Sequence, residues 1–331
     1  MSDVTVAVVS DVHFAGPDER LRRNHEAGAI DNVVLRGLMR IYRRHIWLRD
    51  VFAHNHLLDY FIHHAAGANL VVSNGDYSCD TAFVGIADPA SFQSTKLCLE
   101  KLGSAFADRF EAVVGDHELG KKSFFGGVGG MRLASWRRVL AELRTAPFWV
   151  REIGRYRLVG LTSSLIALPV FAGDILSEEA AEWTRLRERQ LTQLESVFAT
   201  LEDHHRVILF CHDPSALPFL AEIGAIQRRV TQIEATVIGH LHSNLIFRMS
   251  QILSGMPAIG FLGNTAKRLS MALRQAKTWR GFKPVLCPSL AGIELLKDGG
   301  FLEIRLDSDA GRPLRIRHRS VPRNGLQGAA T

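Results

Sequence analysis

Five short apolar runs, each ending in ionisable side chains, constrain this chain more than any other feature of its sequence. The runs read VTVAVVS, LVVSN, FEAVV, RVILF and ATVI, in that order. Their length and β-branched composition are typical of strands that are buried on both faces of a sheet. The polar groups that follow them are Asp11-Val12-His13, Gly75-Asp76, Gly115-Asp116-His117-Glu118, Cys211-His212 and Gly239-His240-Leu241-His242.

The segments between these runs carry helical patterns, the clearest of which extends from Ser177 to about Thr200. Strands that alternate with helices indicate an α/β layered domain. In such sheets, ligands bind beyond the carboxyl ends of the strands. We therefore expect the five polar groups to converge on one edge of the fold.

A chain of this size does not need a metal ion for stability, so any metal site in it is expected to serve function. At 331 residues and 47% hydrophobic content, the chain can bury roughly three quarters of its unfolded surface without a metal or disulfide. Its four cysteines show no C-x-x-C spacing, which argues against a zinc knuckle and a disulfide framework. The sequence shows neither a signal-peptide pattern nor an apolar run of about 18 residues. We expect a cytoplasmic protein in a reducing compartment.

Positive charge is concentrated in two parts of the chain. The net charge is +6, and residues 20–50 hold eight arginines against three acidic residues. Residues 235–293 contain no aspartate or glutamate. Each basic surface is either a solvated face or an attractor for phosphate-bearing substrates or an anionic membrane. The sequence leaves these alternatives open.

Residues 20–66 interrupt the alternation of strands and helices and are predicted to form an inserted basic helical cap. The apolar residues near helical spacing in this stretch are Leu35, Leu38, Tyr42, Ile46 and Phe52. Such spacing is typical of a helix with one apolar face.

The C-terminal third carries weaker signals. Strand-like pieces at residues 257–263, 291–296 and 301–306 favour a second sheet layer. The main domain is expected to span residues 1–306. Residues 307–331, rich in glycine, proline and arginine, are predicted to be a basic and partly disordered tail.

The order of the polar groups carries the functional signal. Asp11 and His13 are two residues apart, so along an extended chain both side chains point the same way, as two ligands of one ion must. The whole series reads D-x-H, G-D, G-D-H-E, H and G-H-x-H. This series resembles the calcineurin-like metallophosphoesterase family, whose pattern runs D-x-H, G-D-x-x-D, G-N-H-[DE], H and G-H-x-H. The resemblance extends over roughly residues 4–244.

The resemblance implies a four-layer αββα sandwich, with two sheets between layers of helices, and a dinuclear metal centre. The ligands that it implies for the first ion are Asp11, His13 and His242. The ligands that it implies for the second ion are Asp116, His212 and His240. Asp76 is implied to bridge the two ions.

The implied centre suits hydrolysis at phosphorus. Two divalent ions roughly 3.5–4 Å apart can share a hydroxide of lowered pKa and neutralise charge on a phosphoryl oxygen. A mixed carboxylate and imidazole set favours Mn, Fe, Zn or Co over Ca or Mg alone. By the resemblance, His117 acts beside the leaving group as a proton donor or electrostatic stabiliser. Glu118 is the candidate that orients the His117 ring.

Position 116 departs from the family pattern, because aspartate stands where the family usually has asparagine. The change adds a negative charge at the second implied ion. It is expected to tighten metal binding and to make the centre less electrophilic. A carboxylate is at least as good a ligand as an amide oxygen, so the departure is compatible with activity.

The substrate side is predicted from the basic residues. The candidates for gripping substrate phosphates are Arg40, Arg43, Arg44 and Lys121. The arginine-rich helix has two other interpretations, a solvated face or an interfacial helix. In the interfacial case the residues expected to enter lipid are Trp47, Leu48 and Phe52. Nucleic acid is not an expected partner, since the sequence shows no base-stacking aromatic series or helix-turn-helix pattern.

The segment GDHELGKK, which begins at Gly115, imitates a nucleotide-binding phosphate loop. Lys122 occupies the position where such loops carry the serine or threonine that holds magnesium. The phosphate-loop interpretation is therefore the weaker one.

The function predicted from these observations is that of a metal-dependent phosphohydrolase. It is expected to cleave a phosphodiester or pyrophosphate bond with a metal-bridging hydroxide, on a phosphorylated small molecule or a lipid-linked substrate such as a nucleotide-sugar lipid. One alternative is a phosphomonoesterase acting on phosphoproteins or small molecules. Another is a non-catalytic scaffold of the same fold, which the complete set of ligand-type residues disfavours.

Overall fold

Two five-stranded sheets form the centre of the part of the chain that the structure describes. The structure, a computed structural model, describes residues 3–22, 25–79, 83–123, 125, 127–143, 145–252 and 276–322. The strands are β1 (Asp3–Val9), β2 (Leu70–Ser73), β3 (Phe110–Ala112), β4 (Phe148–Ile153), β5 (Tyr156–Leu161), β6 (Arg206–Cys211), β7 (Ile233–Ile238), β8 (Pro284–Leu286), β9 (Gly300–Asp307) and β10 (Arg315–Ser320). The strand order is β10-β9-β1-β2-β3 in the first sheet and β4-β5-β6-β7-β8 in the second.

Helices connect most of these strands. The α-helices are α1 (Pro17–Arg20), α2 (His25–Gly28), α3 (Val33–His45), α4 (His56–Ala65), α5 (Pro89–Phe106), α6 (Asp116–Leu119), α7 (Leu133–Ala141), α8 (Ser163–Ile166), α9 (Leu168–Phe171), α10 (Ala180–Ala199), α11 (Leu217–Leu220), α12 (Gly224–Arg229) and α13 (Asn244–Ile252).

Three hydrophobic layers separate the sheets and helices. Along β1, Val6 and Val8 face the second sheet, while Ala7 and Val9 face α4 and α5. This alternation follows from the two-residue period of a strand. On the outer face of the second sheet, buried residues of α10 such as Trp183 complete a third layer. The structure therefore confirms the predicted four-layer arrangement of helices, sheet, sheet and helices.

Parallel pairing brings the strand ends that carry the polar groups to one edge. Strands β1, β2 and β3 are parallel within the first sheet. Strands β6 and β7 are parallel within the second. Each of the five polar groups begins at the last residue of one of these strands or within three residues after it. The carboxyl ends of both sheets thus supply the candidate site.

Helix α4 lies inside the stretch predicted as a cap, but it belongs to the core. Its Leu57, Leu58 and Phe61 are buried in the layer that covers the outer face of the first sheet. A connection between parallel neighbours such as β1 and β2 needs a crossover, and α4 provides it. The stretch of residues 20–66 therefore ends in a helix that packs on the first sheet, and the bounds of the cap stay a prediction.

Two strand predictions in the C-terminal part have different outcomes. Residues 301–306 lie in β9, although β9 joins the first sheet rather than the second. Residues 291–296 form turns instead of a strand. The backbone N–H of Lys297 bonds to the carbonyl of Ile293 at 2.8 Å, and Asp298 accepts the N–H of Ile293 at 3.2 Å, which closes the chain into a loop. Residues 257–263 lie outside the described residues.

The predicted tail contributes the edge strand β10. Its residues pair antiparallel with β9, and Arg319 Nη2 donates to Glu303 Oε2 at 2.7 Å. Ile316 packs against the core between the sheets. Residues 315–320 are therefore part of the main domain. Backbone pairing with β9 and the apolar contact of Ile316 hold this charged segment on the first sheet. Residues 323–331 lie beyond the described part of the chain.

Candidate metal centre

Asp11, His13 and His242 meet where β1 and β7 end. Asp11 and His13 follow β1, and His242 follows β7. Asp11 Oδ1 lies 3.1 Å from His242 Nε2 and 4.0 Å from His13 Nε2. The two imidazole Nε2 atoms are 3.3 Å apart. Three ligand-type atoms therefore face one point, as the ligands of a single ion would.

Asp76, Asp116, His212 and His240 form a second set beside the first. His212 Nε2 lies 3.2 Å from Asp76 Oδ2 and 3.5 Å from Asp116 Oδ1. His240 Nδ1 lies 3.3 Å from the same Asp116 oxygen. The ligand atom of Asp76 is also within 4.8 Å of that of His13. Asp76 therefore lies between the two sets.

Backbone carbonyls orient two of the imidazoles. His13 Nδ1 lies 3.1 Å from the carbonyl oxygen of Ser78, and His212 Nδ1 lies 2.7 Å from that of Asn74. A carbonyl oxygen can only accept a hydrogen bond, so each Nδ1 donates. In the neutral ring, the Nε2 atom then keeps a lone pair directed into the site, which is the usual arrangement around a metal-bound histidine.

Several buried atoms of the two sets have no hydrogen-bond partner. Asp11 Oδ2 accepts from Ser10 Oγ at 2.6 Å, but Asp11 Oδ1 has no partner. Both carboxylate oxygens of Asp116 and the Nε2 atom of His212 also lack one. Buried polar groups without partners are costly and uncommon. A cation held by these side chains would satisfy all of them, so the residues present fit a divalent metal ion.

Five of the seven ligand-type residues have a left-handed backbone. The φ angles are 49° for Asp11, 49° for His13, 58° for Asp76, 57° for His240 and 58° for His242. Residues other than glycine rarely adopt this conformation, at a cost of about 1–3 kcal/mol each, and such strain clusters at functional sites. The strand ends are therefore bent to aim these side chains at the centre.

Glycine is required beside the ligands because the strand ends approach each other closely. A Cβ atom on Gly75 would lie 2.8 Å from His212 Nδ1, and Gly75 has a φ of 95°. A Cβ atom on Gly239 would lie 2.1 Å from Ser10 Oγ and 2.6 Å from Asp11 Oδ2. The glycines of the G-D and G-H motifs thus leave room for the neighbouring ligands.

The electrostatic balance of the sets favours a bound cation. Burial opposes ionisation of Asp11, but His242 and the other imidazoles outweigh it and hold its pKa well below the usual range. Opposing effects of burial and of nearby imidazoles leave the pKa of Asp76 at about 2. Burial lowers the pKa of His13 to about 3. Burial also acts against a charge on His212, yet the carboxylates around it raise its pKa well above the usual value. The carboxylates are thus ionised and draw positive charge to this position.

His117 lies beside Asp76 but is oriented by the backbone. Its Nδ1 donates to the carbonyl oxygen of Cys79 at 2.8 Å. Its Nε2 lies 3.6 Å from Asp76 Oδ2 and accepts a hydrogen bond from the Lys121 ammonium group. Burial lowers the pKa of His117, as does Lys121, against the opposing effect of Asp76. The structure therefore brings the predicted leaving-group residue to the site in its neutral form.

Glu118 does not orient the His117 ring, so this prediction is wrong. Its carboxylate accepts the backbone N–H groups of Tyr77 at 2.8 Å, Gly115 at 2.9 Å and Asp76 at 3.1 Å. Burial and then Asp76 raise the pKa of Glu118 to about 8. The three unpaired amides at the ends of β2 and β3 attract the side chain away from the imidazole. Glu118 ties these two loops together.

Lys121 offsets the extra negative charge at position 116. Its Nζ atom lies 3.9 Å from Asp116 Oδ2. Burial raises the pKa of Asp116, but Lys121 and then His240 outweigh it, so the pKa lies well below the usual value. An asparagine at position 116 would need no balancing charge. For Asp116, that positive charge comes from Lys121, five residues further along the chain.

A cavity opens beside the first set and is half polar and half apolar. Its lining residues are His13, Trp47, Leu48, Val51, Cys79, His117, Lys121 and His242. The Trp47 ring lies 4.4 Å from the His242 ring, measured between centroids, and Leu48 is buried. These two side chains belong to the apolar wall of the cavity, and the interpretation in which they enter lipid stays a prediction.

The three arginines predicted to grip phosphate lie outside this lining. Arg40 and Arg44 of α3 are exposed, and Arg43 is half-buried. Of the predicted substrate-binding residues, Lys121 is the one found among the described lining residues. A helix presents its side chains all around its axis, so charge density alone did not distinguish which residues face the centre.

The sequence analysis missed three contributors to the site. Trp47 covers His242, the Asn74 carbonyl orients His212, and Asp213 Oδ2 lies 4.0 Å from His240 Nε2. Asn74 and Asp213 adjoin the motifs directly, and this adjacency is a usable signal. Nothing in the local sequence distinguishes Trp47 from other aromatic residues.

Comparisons with known proteins gave matches among solved structures only. No family model matches the chain, and no curated protein matches it. Among solved structures, the chain is similar to a conserved uncharacterized protein from Streptococcus pneumoniae TIGR4, described as a predicted phosphoesterase. The identity is 10%, the TM-score is 0.30, and the match covers 96% of this chain and 99% of that chain. None of the described helices is both long and apolar enough to cross a bilayer.

Proposed function

We propose that the protein is a metal-dependent phosphohydrolase of the calcineurin-like type, with two divalent ions at the strand ends. The observation that supports it best is the convergence of seven ligand-type side chains into two sets with partnerless buried atoms. One ion would be held by Asp11, His13 and His242. The other would be held by Asp116, His212 and His240, with Asp76 shared between them.

Divalent ions of the Mn, Fe, Zn or Co type, when bound, supply the positive charge that activates a water molecule and stabilises a phosphoryl group in hydrolysis. The residues of the chain contribute orientation. The Ser78 and Asn74 carbonyls fix the rings of His13 and His212. Fixed ligands need no rearrangement during the reaction, which is the main source of electrostatic stabilisation in enzymes.

His117 and Lys121 act together on the leaving-group side of the proposed reaction. The Cys79 carbonyl holds the one ring proton of neutral His117 at Nδ1, so Nε2 accepts a proton of the Lys121 ammonium group in a hydrogen bond. Both side chains line the cavity, so a departing oxygen there meets a proton and a positive charge. In this proposal the partner of His117 is Lys121, whereas the sequence predicts Glu118.

The apolar wall supports a substrate with a second, bulky group on phosphorus. Trp47, Leu48 and Val51 line the same cavity as His117 and Lys121. A phosphomonoester has only its leaving group, whereas a diester or a disubstituted diphosphate has a second substituent that the apolar wall can bury. We therefore propose a phosphodiester or pyrophosphate substrate, with lipid-linked molecules among the compounds to test.

The proposal is tested by loading the metal-stripped full chain separately with Mn, Fe, Zn and Co. Bis(4-nitrophenyl) phosphate and 4-nitrophenyl phosphate then serve as diester and monoester. We expect the diester to turn over about tenfold faster, since one buried aromatic group contributes roughly 1–2 kcal/mol. A preference for the monoester would favour the phosphomonoesterase alternative. Tight metal binding without turnover of either compound would favour the scaffold.

A further inference from the structure

The rest of the protein buries only part of the apolar surface of helix α3. Met39 is buried, with 3% of its surface exposed, whereas Val34, Leu38 and Ile41 are 71%, 56% and 60% exposed. These three residues are spaced by four and then three positions, so they share one face of the helix. An exposed row of large aliphatic side chains on a well-formed helix indicates a surface with an occupant.

The helix is held in place by its own caps and by the body of the protein. The Asn32 side chain accepts the N–H groups of Val34 at 2.9 Å and Leu35 at 3.1 Å, which is a strong N-terminal cap. Beyond the other end, the N–H of Leu295 bonds to the carbonyl of Ile46 at 3.2 Å. The exposed face is therefore presented by an anchored helix.

The exposed arginines beside the apolar row indicate what kind of partner this surface binds. Arg40 and Arg44 are exposed one turn apart on α3, and the helix contains four arginines and no acidic residue. Nucleic acid, or an acidic protein segment without apolar side chains, would leave the aliphatic row in water. A bilayer with anionic headgroups satisfies both, because its surface attracts arginine and its acyl boundary accepts aliphatic side chains.

We propose that α3 docks on an anionic lipid bilayer, with Val34, Leu38 and Ile41 entering the headgroup boundary and Arg40 and Arg44 on the lipid phosphates. The face involved differs from the one expected from the sequence, since Trp47 and Leu48 are committed to the cavity. Docking through α3 holds the metal centre near the membrane, because Trp47 follows α3 by two residues and contacts His242.

Co-sedimentation of the full chain with sucrose-loaded vesicles tests the proposal. Vesicles of phosphatidylcholine alone are compared with vesicles that also contain phosphatidylglycerol, at about 0.1 M and about 0.5 M salt. Wild-type protein should bind the anionic vesicles and release at the higher salt. Arg40→Gln with Arg44→Gln should weaken binding about 25-fold, at about fivefold for each arginine. Leu38→Ser with Ile41→Ser should weaken it about tenfold.

Matched variants elsewhere on the surface serve as controls. Arg185→Gln with Arg189→Gln removes two exposed arginines of the same spacing from α10. Leu140→Ser removes an exposed leucine, 46% accessible, from α7. Both controls should bind vesicles within twofold of wild type. Equal binding by the α3 variants, or no binding by the wild type, would overturn the proposal.

Two further measurements separate membrane docking from catalysis and from self-association. An Asp76→Asn protein that has lost turnover should still bind vesicles, so failure of the hydrolase proposal leaves docking intact. Light scattering should show that Leu38→Ser with Ile41→Ser does not change the oligomeric state. A wild-type dimer that this variant dissociates would assign the α3 face to a second copy of the chain and overturn membrane docking.

Discussion

The metal centre and helix α3 differ in how tightly the chain determines them. At the centre, Asp11 and His212 have no exposed surface, and strand ends from both sheets place them. On α3, Leu38 and Ile41 are more than half exposed. Packing on both faces and pairing with neighbouring strands fix the end of a buried strand. The residue that follows this end therefore has a determined position. A helix that packs on one side can be rotated to present several faces.

The two regions meet at Trp47, which follows α3 and covers His242. Changes at the centre should therefore affect metal binding and turnover together, whereas changes in α3 should affect surfaces and selectivity.

Loss of the shared ligand should have the largest effect. Asp76→Asn keeps the shape of the side chain but removes the charge between the two sets, so we expect metal content and turnover to fall together. A loss of several kcal/mol corresponds to a turnover decrease of about 10³-fold or more. Elemental analysis and diester hydrolysis measure the two quantities. The matched control is Asp203→Asn on the surface, and full turnover by metal-free Asp76→Asn protein would refute the assignment of the centre.

Removal of the leaving-group imidazole should separate rate from metal binding. His117→Ala should retain bound metal but lose about 10²- to 10⁴-fold in turnover, the usual contribution of a general acid. His205 is a buried histidine at the opposite end of β6 from His212. His205→Ala should therefore leave the turnover of the folded protein unchanged. An unchanged rate in His117→Ala would show that this residue does not act in the reaction.

Trp47, which lies between α3 and the metal centre, should influence substrate affinity more than the rate of hydrolysis. Trp47→Ala should raise KM for bis(4-nitrophenyl) phosphate about tenfold, with metal content unchanged, since the substituent loses its aromatic contact. Trp47→Phe retains a ring and should recover most of the affinity. Steady-state kinetics on both variants provide the comparison. A large loss of metal in Trp47→Ala would mean that α3 and the centre are not separable.

The smallest effect is expected at the compensating lysine. Lys121→Met removes a cation 3.9 Å from Asp116, so divalent ions should bind more tightly. The interaction is worth about 1 kcal/mol after solvent screening, or about fivefold in affinity. Lys122 lies at the same distance, 3.9 Å, from Asp174, and Lys122→Met is the matched control. The effect of Lys121→Met should vanish in an Asp116→Asn background. Weaker ion binding in Lys121→Met would contradict charge compensation.

Much of the architecture was predictable from local pattern. The apolar runs predicted β1, β2, β3, β6 and β7, because strands buried on both faces are continuous in hydrophobicity. The hairpin of β4 and β5 was missed, although apolar residues flank Gly154 on both sides. The edge strand β10 could not be predicted from a local pattern because its stability comes from pairing with β9, which no short window of sequence shows.

The sequence by itself determined which residues could form a centre and on which strand ends they lie, since chain order and the two-residue period of a strand act locally. Tertiary structure decided everything that depends on a neighbour distant in sequence. It sent Glu118 to backbone amides instead of the His117 ring, placed α4 in the core, and turned Trp47 onto His242. The physical reason is that an amphipathic segment specifies an apolar face but not its partner, and a buried carboxylate binds whichever unpaired donors the fold brings within reach.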